Sequence, residues 1–353
     1  MKKLKQILII FFAFIVSLFF IEYFFNLKRV RIPHQIFHHT LAPNKVFFDQ
    51  WGKNKYKICT DNNGFRIKCG SNSYKDFDIA FIGDSMTEGQ AVFEDTYVGM
   101  IANEFPDLKI ANLSMASYSP SIYLTKVRYY LEKEITFKRL IVYVDISDIQ
   151  DEVIYSIENG EVKEIAYLDE KENVVLSLPL SRRIKNKLNR LFPITYKGLW
   201  ILKNLMLYQK QEEHRETTFR FVRDHARTGW TYDSQIHGYG ELGVEGAIKK
   251  AVSVMQKLHK LTQQYGIELS VAVYPLPGQV LFDVENSKQV QIWKKFCENR
   301  CEYFINSFPS IFNLSKEIGR KETVDKMYIK NDVHYSYAGN EVLYLDFLNI
   351  FKK

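Results

Sequence analysis

The sequence predicts an α/β protein, a three-layer αβα sandwich around a parallel, doubly wound sheet, with an apolar amino-terminal segment before it and a large insertion within it. Short apolar runs bounded by turn residues alternate with stretches of helical period, first over residues 77–146 and again over 245–351. Such alternation implies parallel strands joined by right-handed crossovers, with helices on both faces. The chain of 353 residues, 46% hydrophobic and 25% charged, has the make-up of a packed globular protein, which excludes a disordered tail, a collagen-like rod and a disulfide-stapled mini-protein.

From Ile7 to Phe25 only Ser17 and Glu22 are not apolar. A helix of about 20 residues spans the hydrocarbon layer. A cleaved signal peptide would have a shorter apolar core ending in small residues, whereas Ile21 to Arg31 reads IEYFFNLKRVR. The expectation is an uncleaved signal anchor, with residues 1–6 cytosolic and the rest extracytoplasmic, either periplasmic or at the cell surface. Lys2, Lys3 and Lys5 with the amino terminus, four charges, face the three of Lys28, Arg29 and Arg31 across the span, a small lean towards an inside amino terminus.

Residues 26–76 read as an irregular polar lead-in, with turn signals at Asn62-Asn63-Gly64 and at Gly70 to Ser73. FDIAFIG, Phe77 to Gly83, fits a buried parallel strand and is followed by a helical stretch from about Phe93 to Phe105. Lys109 to Leu113 is a second strand, Ile122 to Lys133 a second helix and Arg139 to Ile146 a third strand. The pattern resumes with a helix over about Glu245 to Tyr265, the strand IELSVAVYP, a helix around Val290 to Asn299, the strand EYFIN and a final helix from about Ala338 to Phe351. The sandwich thus occupies 77–153 and 243–353, and 154–242 is an insertion or cap of weak periodicity. Val252, Met255, Leu258 and Leu261 form a stripe that belongs to the helix core.

Cys59, Cys69, Cys297 and Cys301 lie as two pairs close in sequence, which suits two local disulfides in an oxidising compartment or, alternatively, four buried thiols. Spacings of ten and four without a neighbouring histidine argue against zinc. His34, His38 and His39 lack nearby carboxylates, so no metal is expected there and they read as interfacial polar residues. The net charge is +7. Between Arg182 and Arg227 twelve Lys or Arg face four acidic residues, a local net of +8 that accounts for the whole excess. With an extracytoplasmic location, such a patch suits an anionic glycan or lipid headgroup and no nucleic acid is expected, although most of these residues read as a solvated face.

Ligands of a doubly wound sheet bind beyond the carboxyl ends of its strands. The first strand ends in Gly83-Asp84-Ser85-Met86-Thr87-Glu88-Gly89. A serine in a tight strand-to-helix turn exposes its hydroxyl beside converging backbone N–H groups, a setting that favours a developing oxyanion. It needs a base, and Asn331-Asp332-Val333-His334 offers one just before the last helix. Histidine takes a serine proton near neutral pH, and a carboxylate on its other nitrogen fixes the tautomer.

These two blocks resemble those of the SGNH hydrolase superfamily, also called GDSL esterases. GDSxTxG after the first strand is matched by Gly83 to Gly89, and the Asp and His ahead of the terminal helix, followed by Gly-Asn, by Asp332 to Asn340. Superfamily members often have DxxH. The DxH spacing here, and Asn62 to Arg66, are similar to membrane-anchored members acting on polysaccharide O-acetyl groups. The resemblance covers roughly 77–151 and 243–351. It implies a flavodoxin-like SGNH fold, catalytic Ser85, Asp332 and His334, and oxyanion donors from Ser85, Ser117 and Ser147. Ser117 stands where the family has Gly, in Asn112 to Ser117, and Ser147 where it has Asn, in Asp145 to Asp148. Losing an oxyanion donor costs about 10²- to 10³-fold in rate, so the second departure is the more serious. Asp84, Asn112, Asp148 and His237 are candidate substrate contacts.

The resemblance implies a serine esterase that removes acyl groups, acetyl above all, from a surface or cell-wall glycan and needs no cofactor. The alternatives are an O-acetyltransferase that passes the acyl group to a sugar hydroxyl with a membrane acyl-donor partner, and a catalytically silent glycan-binding or assembly protein.

Overall fold

The computed structural model describes residues 31–51, 54–168, 174–176 and 225–352, with isolated positions before 31 and between 184 and 198. The chain divides into two compact units, one of Met1–Val30 with Ser177–Thr218, the other of Arg31–Leu176 with Phe219–Lys353. In the first, the Thr195 amide donates to Glu22 Oε1 at 2.6 Å. About half of the positions in the expected span Ile7 to Phe25 are described, and all of these are helical, whereas the basic side chains from Arg182 to Arg223 lie outside the described residues. Among the described residues no helix is long and apolar enough to cross a membrane.

In the second unit the strands are β1 (Arg31–His34), β2 (His38–Leu41), β3 (Val46–Trp51), β4 (Asn54–Thr60), β5 (Arg66–Ile67), β6 (Asp76–Ile82), β7 (Ile110–Asn112), β8 (Thr136–Tyr143), β9 (Tyr155–Glu158), β10 (Glu161–Glu164), β11 (Ala166–Leu168), β12 (Val174–Leu176), β13 (Glu268–Val273) and β14 (Phe304–Asn306). Its helices are α1 (Ser85–Glu88), α2 (Tyr97–Glu104), α3 (Pro120–Glu132), α4 (Asp148–Ile154), α5 (His225–Thr228), α6 (Gly243–Gln264), α7 (Pro277–Phe282), α8 (Lys288–Cys297), α9 (Phe308–Ile318), α10 (Arg320–Met327) and α11 (Tyr337–Phe351).

The central sheet has eight strands in the order β14-β13-β8-β6-β7-β5-β4-β3. From β14 to β7 neighbouring strands are parallel. Taken in chain order, these five run 2-1-3-4-5, so the crossover β6 to β7 goes one way along the sheet and the later ones go the other. Crossovers of a single hand then place α2 on one face and α3 on the other. In agreement, α3, α4 and α6 pack together, while α2, α9, α10 and α11 form a second group. The buried face of α6 repeats at helical spacing through Ala247, Ala251, Met255 and Leu258, with Val252 and Leu261 half-buried at its edge.

The lead-in corrects the sequence reading. It is no irregular segment: β1 and β2 form a hairpin, and β3, β4 and β5 continue the sheet with antiparallel pairing. The turn signals lie between strands rather than marking a structureless stretch. At Asn62-Asn63-Gly64 the Asp61 carboxylate accepts the Asn63 and Phe65 amides, both at 2.8 Å, and so closes the β4–β5 turn. The sheet is therefore mixed, not wholly parallel. Disulfides join Cys59 to Cys69 and Cys297 to Cys301. In the described part of the insertion, β9 pairs with β10 and β11 with β12, and α5 follows.

Candidate active site

The carboxyl ends of β6, β7 and β8 come level, Phe81 beside Asn112 and Ile82 beside Val142. The chain leaves β6 through Gly83, where a Cβ would run into Thr87 Oγ1 and the Tyr143 carbonyl, so only glycine allows so sharp a turn into α1. Asp84 caps α1, its Oδ1 accepting the Met86 amide at 2.8 Å. Asn112 Nδ2 donates to the Thr87 carbonyl at 2.8 Å and ties the turn to β7. Ser85 is thereby held at the first position of α1, beyond the carboxyl end of the interior strand β6.

The segment Tyr328–Tyr335 brings the histidine to that hydroxyl. Tyr328 and Tyr335 bridge in antiparallel fashion, and both phenols donate to the Pro275 carbonyl beyond β13, at 2.6 and 2.8 Å. Ser336 caps α11, and the Asn340 side chain accepts the Tyr97 amide at 3.1 Å, which locks α11 onto α2. In this frame His334 Nε2 lies 2.9 Å from Ser85 Oγ, and His334 Nδ1 lies 2.5 Å from Asp332 Oδ1. Asp332 Oδ1 also accepts the His334 amide at 3.0 Å, and its Oδ2 accepts the Trp51 indole N–H at 2.7 Å. Asp332 and His334 are buried, whereas Asn331 is exposed with φ of 58°.

Ser85 and His334 open onto a cavity of about 210 Å³ that is also lined by Trp51, Ser117, Ser147 and Arg227. Ser117 has φ of 62°, a left-handed conformation that the glycine common at this block in the resembled family would adopt without strain. Among the described residues its amide has no hydrogen-bond partner. Ser147 gives its own amide to Asp145 Oδ1 at 2.7 Å.

Beneath the cavity lies a group of carboxyls. Asp84, Asp145 and Asp148 each bring an oxygen within 4.8 Å of the others, all buried. Burial first, then the neighbouring Asp145, raises the Asp84 carboxyl well above the usual carboxylate range. Burial and then Asp84 do the same to Asp148. Asp151 is raised by burial against the opposing pull of Arg227, with which it is paired in the cavity wall. Asp84, Asp145 and Asp151 line the cavity and keep its floor polar.

Three predicted substrate contacts are not brought to the cavity. Asn112 is buried, with its carbonyl oxygen accepting the Ser114 amide at 3.0 Å and its NH₂ on Thr87, so its amide is spent on holding the turn. Asp148 is buried behind the wall, accepting the Tyr123 hydroxyl at 2.7 Å and the Asp145 amide at 3.0 Å. His237 is exposed and outside the lining. Asp84 does line the cavity. Trp51 and the pair Asp151–Arg227 were not singled out from sequence. Arg227 belongs to the basic cluster read as a solvated face, and no local pattern distinguishes it from its neighbours. His34 and His39 turn inward rather than facing an interface: His34 stacks on Phe37 at 3.6 Å, and His39 Nε2 contacts the Ala116 carbonyl at 2.8 Å.

No family model matches the chain, and no curated protein matches it. Solved structures similar to it include the acetylxylan esterase Axe2 of Geobacillus stearothermophilus, at 11% identity over 81% of this chain and 97% of that one, with a TM-score of 0.40. An acetyl xylan esterase, AlAXEase, is 12% identical over 77% and 98%, with a TM-score of 0.42. A lipolytic G-D-S-L family member from Veillonella parvula is 9% identical over 78% and 98%, with a TM-score of 0.39. Likenesses this distant leave the functional reading to the residues themselves.

Proposed function

We propose that the protein is a serine-dependent carboxylic-ester hydrolase that removes acetyl groups from a surface or cell-wall glycan, with Ser85, His334 and Asp332 as its triad. The observation that carries the reading is the unbroken run Ser85 Oγ, His334 Nε2, His334 Nδ1, Asp332 Oδ1, at 2.9 and 2.5 Å, opening onto one cavity. His334 takes the Ser85 proton as Oγ attacks the ester carbonyl carbon, and Asp332 steadies the imidazolium without itself taking a proton. The negative oxygen of the tetrahedral intermediate is met by the Ser85 and Ser117 amides, with the Ser147 hydroxyl in place of the family's asparagine. His334 then returns the proton to the departing sugar oxygen, and water repeats the sequence on the acyl-serine.

The small polar cavity suits a short acyl group. The glycan rests on the resemblance of the Asp332-Val333-His334 spacing and of Asn62 to Arg66 to membrane-anchored enzymes of polysaccharide acetylation. The apolar run Ile7 to Phe25 supports attachment to the outer face of a cytoplasmic membrane, and the two disulfides suit an oxidising compartment. The full-length chain in detergent, given an aryl acetate and then an O-acetylated oligosaccharide, is expected to release acetate from both. Acetate appearing on an added oligosaccharide acceptor instead of in solution would turn the reading to transfer by the same triad. A folded protein inert to both would overturn it in favour of glycan binding.

A further inference from the structure

The peptide between Ala116 and Ser117 is one planar unit, so whatever fixes the Ala116 carbonyl also fixes the direction of the Ser117 N–H. That carbonyl lies 2.8 Å from His39 Nε2, on strand β2, 77 residues away in sequence. We infer that His39 is a positioning residue for the oxyanion site: its Nε2–H donates to the Ala116 carbonyl and so aims the Ser117 N–H at the reacting carbonyl oxygen. The inference rests on the ester-hydrolase reading above and adds a residue to its machinery.

Several observations converge on the same short loop. Serine seldom takes the left-handed conformation found at Ser117, and a residue so placed persists only where its surroundings over-determine it. Here they do. The Ala116 amide donates to Glu88 Oε2 at 2.9 Å, and Glu88 is itself paired with Arg31 at 2.7 Å. The Tyr118 hydroxyl donates to the His39 carbonyl at 2.7 Å, and the two rings meet edge-on at 4.9 Å. The His39 ring is therefore clasped by the loop that it orients.

The tautomer follows from the partners. A carbonyl only accepts, so Nε2 must carry a proton, and His39 Nδ1 then accepts from His38 Nδ1, 2.7 Å away. Burial, and then His38, lower the His39 pKa to about 3, so the ring is neutral at working pH with its single proton on Nε2. A hydrogen bond into the carbonyl polarises the amide and strengthens the N–H on its other side as a donor. The sequence reads these histidines as interfacial residues, and the structure sets one of them against the loop that carries Ser117.

The test compares His39→Leu with His39→Gln, whose amide can still reach the carbonyl. Loss of one aimed oxyanion donor lowers kcat on the aryl acetate by about 10²-fold with little change in KM, and glutamine restores most of it. His39→Leu at the wild-type rate, or His39→Gln no better than His39→Leu, overturns the inference. Should the leucine variant fail to fold, nitrogen-15 spectra of the wild-type imidazoles decide: a protonated Nε2 at His39 is expected, and a bare Nε2 overturns it. Wild-type turnover that does not need Ser85 defeats the hydrolase reading, and this inference with it. Ser85-dependent turnover unaffected at His39 defeats the inference alone.

Discussion

Trp51 and Asp332, 281 residues apart in the chain, are joined by a hydrogen bond of 2.7 Å from the indole N–H to Oδ2. The same indole stands edge-on to the His334 ring at 4.6 Å. A strand of the lead-in thus buttresses both members of the Asp–His pair, and Asp332 has each of its oxygens engaged.

Removing the indole N–H frees one carboxylate oxygen and lets the imidazole turn. A hydrogen bond to a charged group is worth about 1.5–3 kcal/mol, so Trp51→Phe is expected to lower kcat about tenfold or more while KM changes little. Steady-state kinetics on an aryl acetate checks this. An unchanged kcat would reduce Trp51 to a cavity wall.

The parallel half of the fold was legible because buried strands such as Phe77 to Gly83 write their burial into continuous apolar runs. The lead-in was not, because Val46 to Trp51 is an edge strand of exposed and half-buried residues whose alternation is hard to tell from a polar loop. In the site, Ser85, Asp332 and His334 were legible because each stands at an element boundary with a distinctive neighbour. Trp51, Arg227 and His39 were not, since their meaning lies in partners 281, 76 and 77 residues away. Asn112 and Asp148, expected as substrate contacts, lie outside the cavity lining for the converse reason: polar residues beside a site are often spent on building it.

Ser147 occupies the cavity wall where the resembled family carries an asparagine. Its amide is bonded to Asp145, a backbone contact that an asparagine would keep. Ser147→Asn is expected to leave turnover unchanged or raise it, measured as kcat on an aryl acetate. A loss of about tenfold or more would show that the space has adapted to serine.

Asp148 is held above the usual carboxylate range by burial beside Asp84 and Asp145. Its folded-state pKa exceeds the unfolded one, so between the two the folded state binds more protons and stability falls as pH rises. Asp148→Asn removes the charge, and its amide would face the two remaining carboxyls. Thermal melts should show the variant more stable than wild type at pH 7–8, by about 1–3 kcal/mol, with the gain shrinking towards pH 4. A gain that grows on acidification would contradict this.

For location, the proposal is an uncleaved anchor with both cysteine pairs outside the cytosol. Intact mass spectrometry of membrane-extracted protein is expected to find residues 7–25 retained and no free thiol. A mature amino terminus beyond Phe25 would reject the anchor, and four free thiols would reject the compartment.

The central claim is that Ser85 is a nucleophile activated by His334. A fluorophosphonate that acylation-competent serines attack should modify wild-type protein at one peptide, mapping to Ser85, with parallel loss of aryl-acetate turnover. Ser85→Ala should abolish both modification and turnover, and His334→Ala should slow both by several orders of magnitude. Modification at another serine, or turnover that survives in folded Ser85→Ala, would contradict the account.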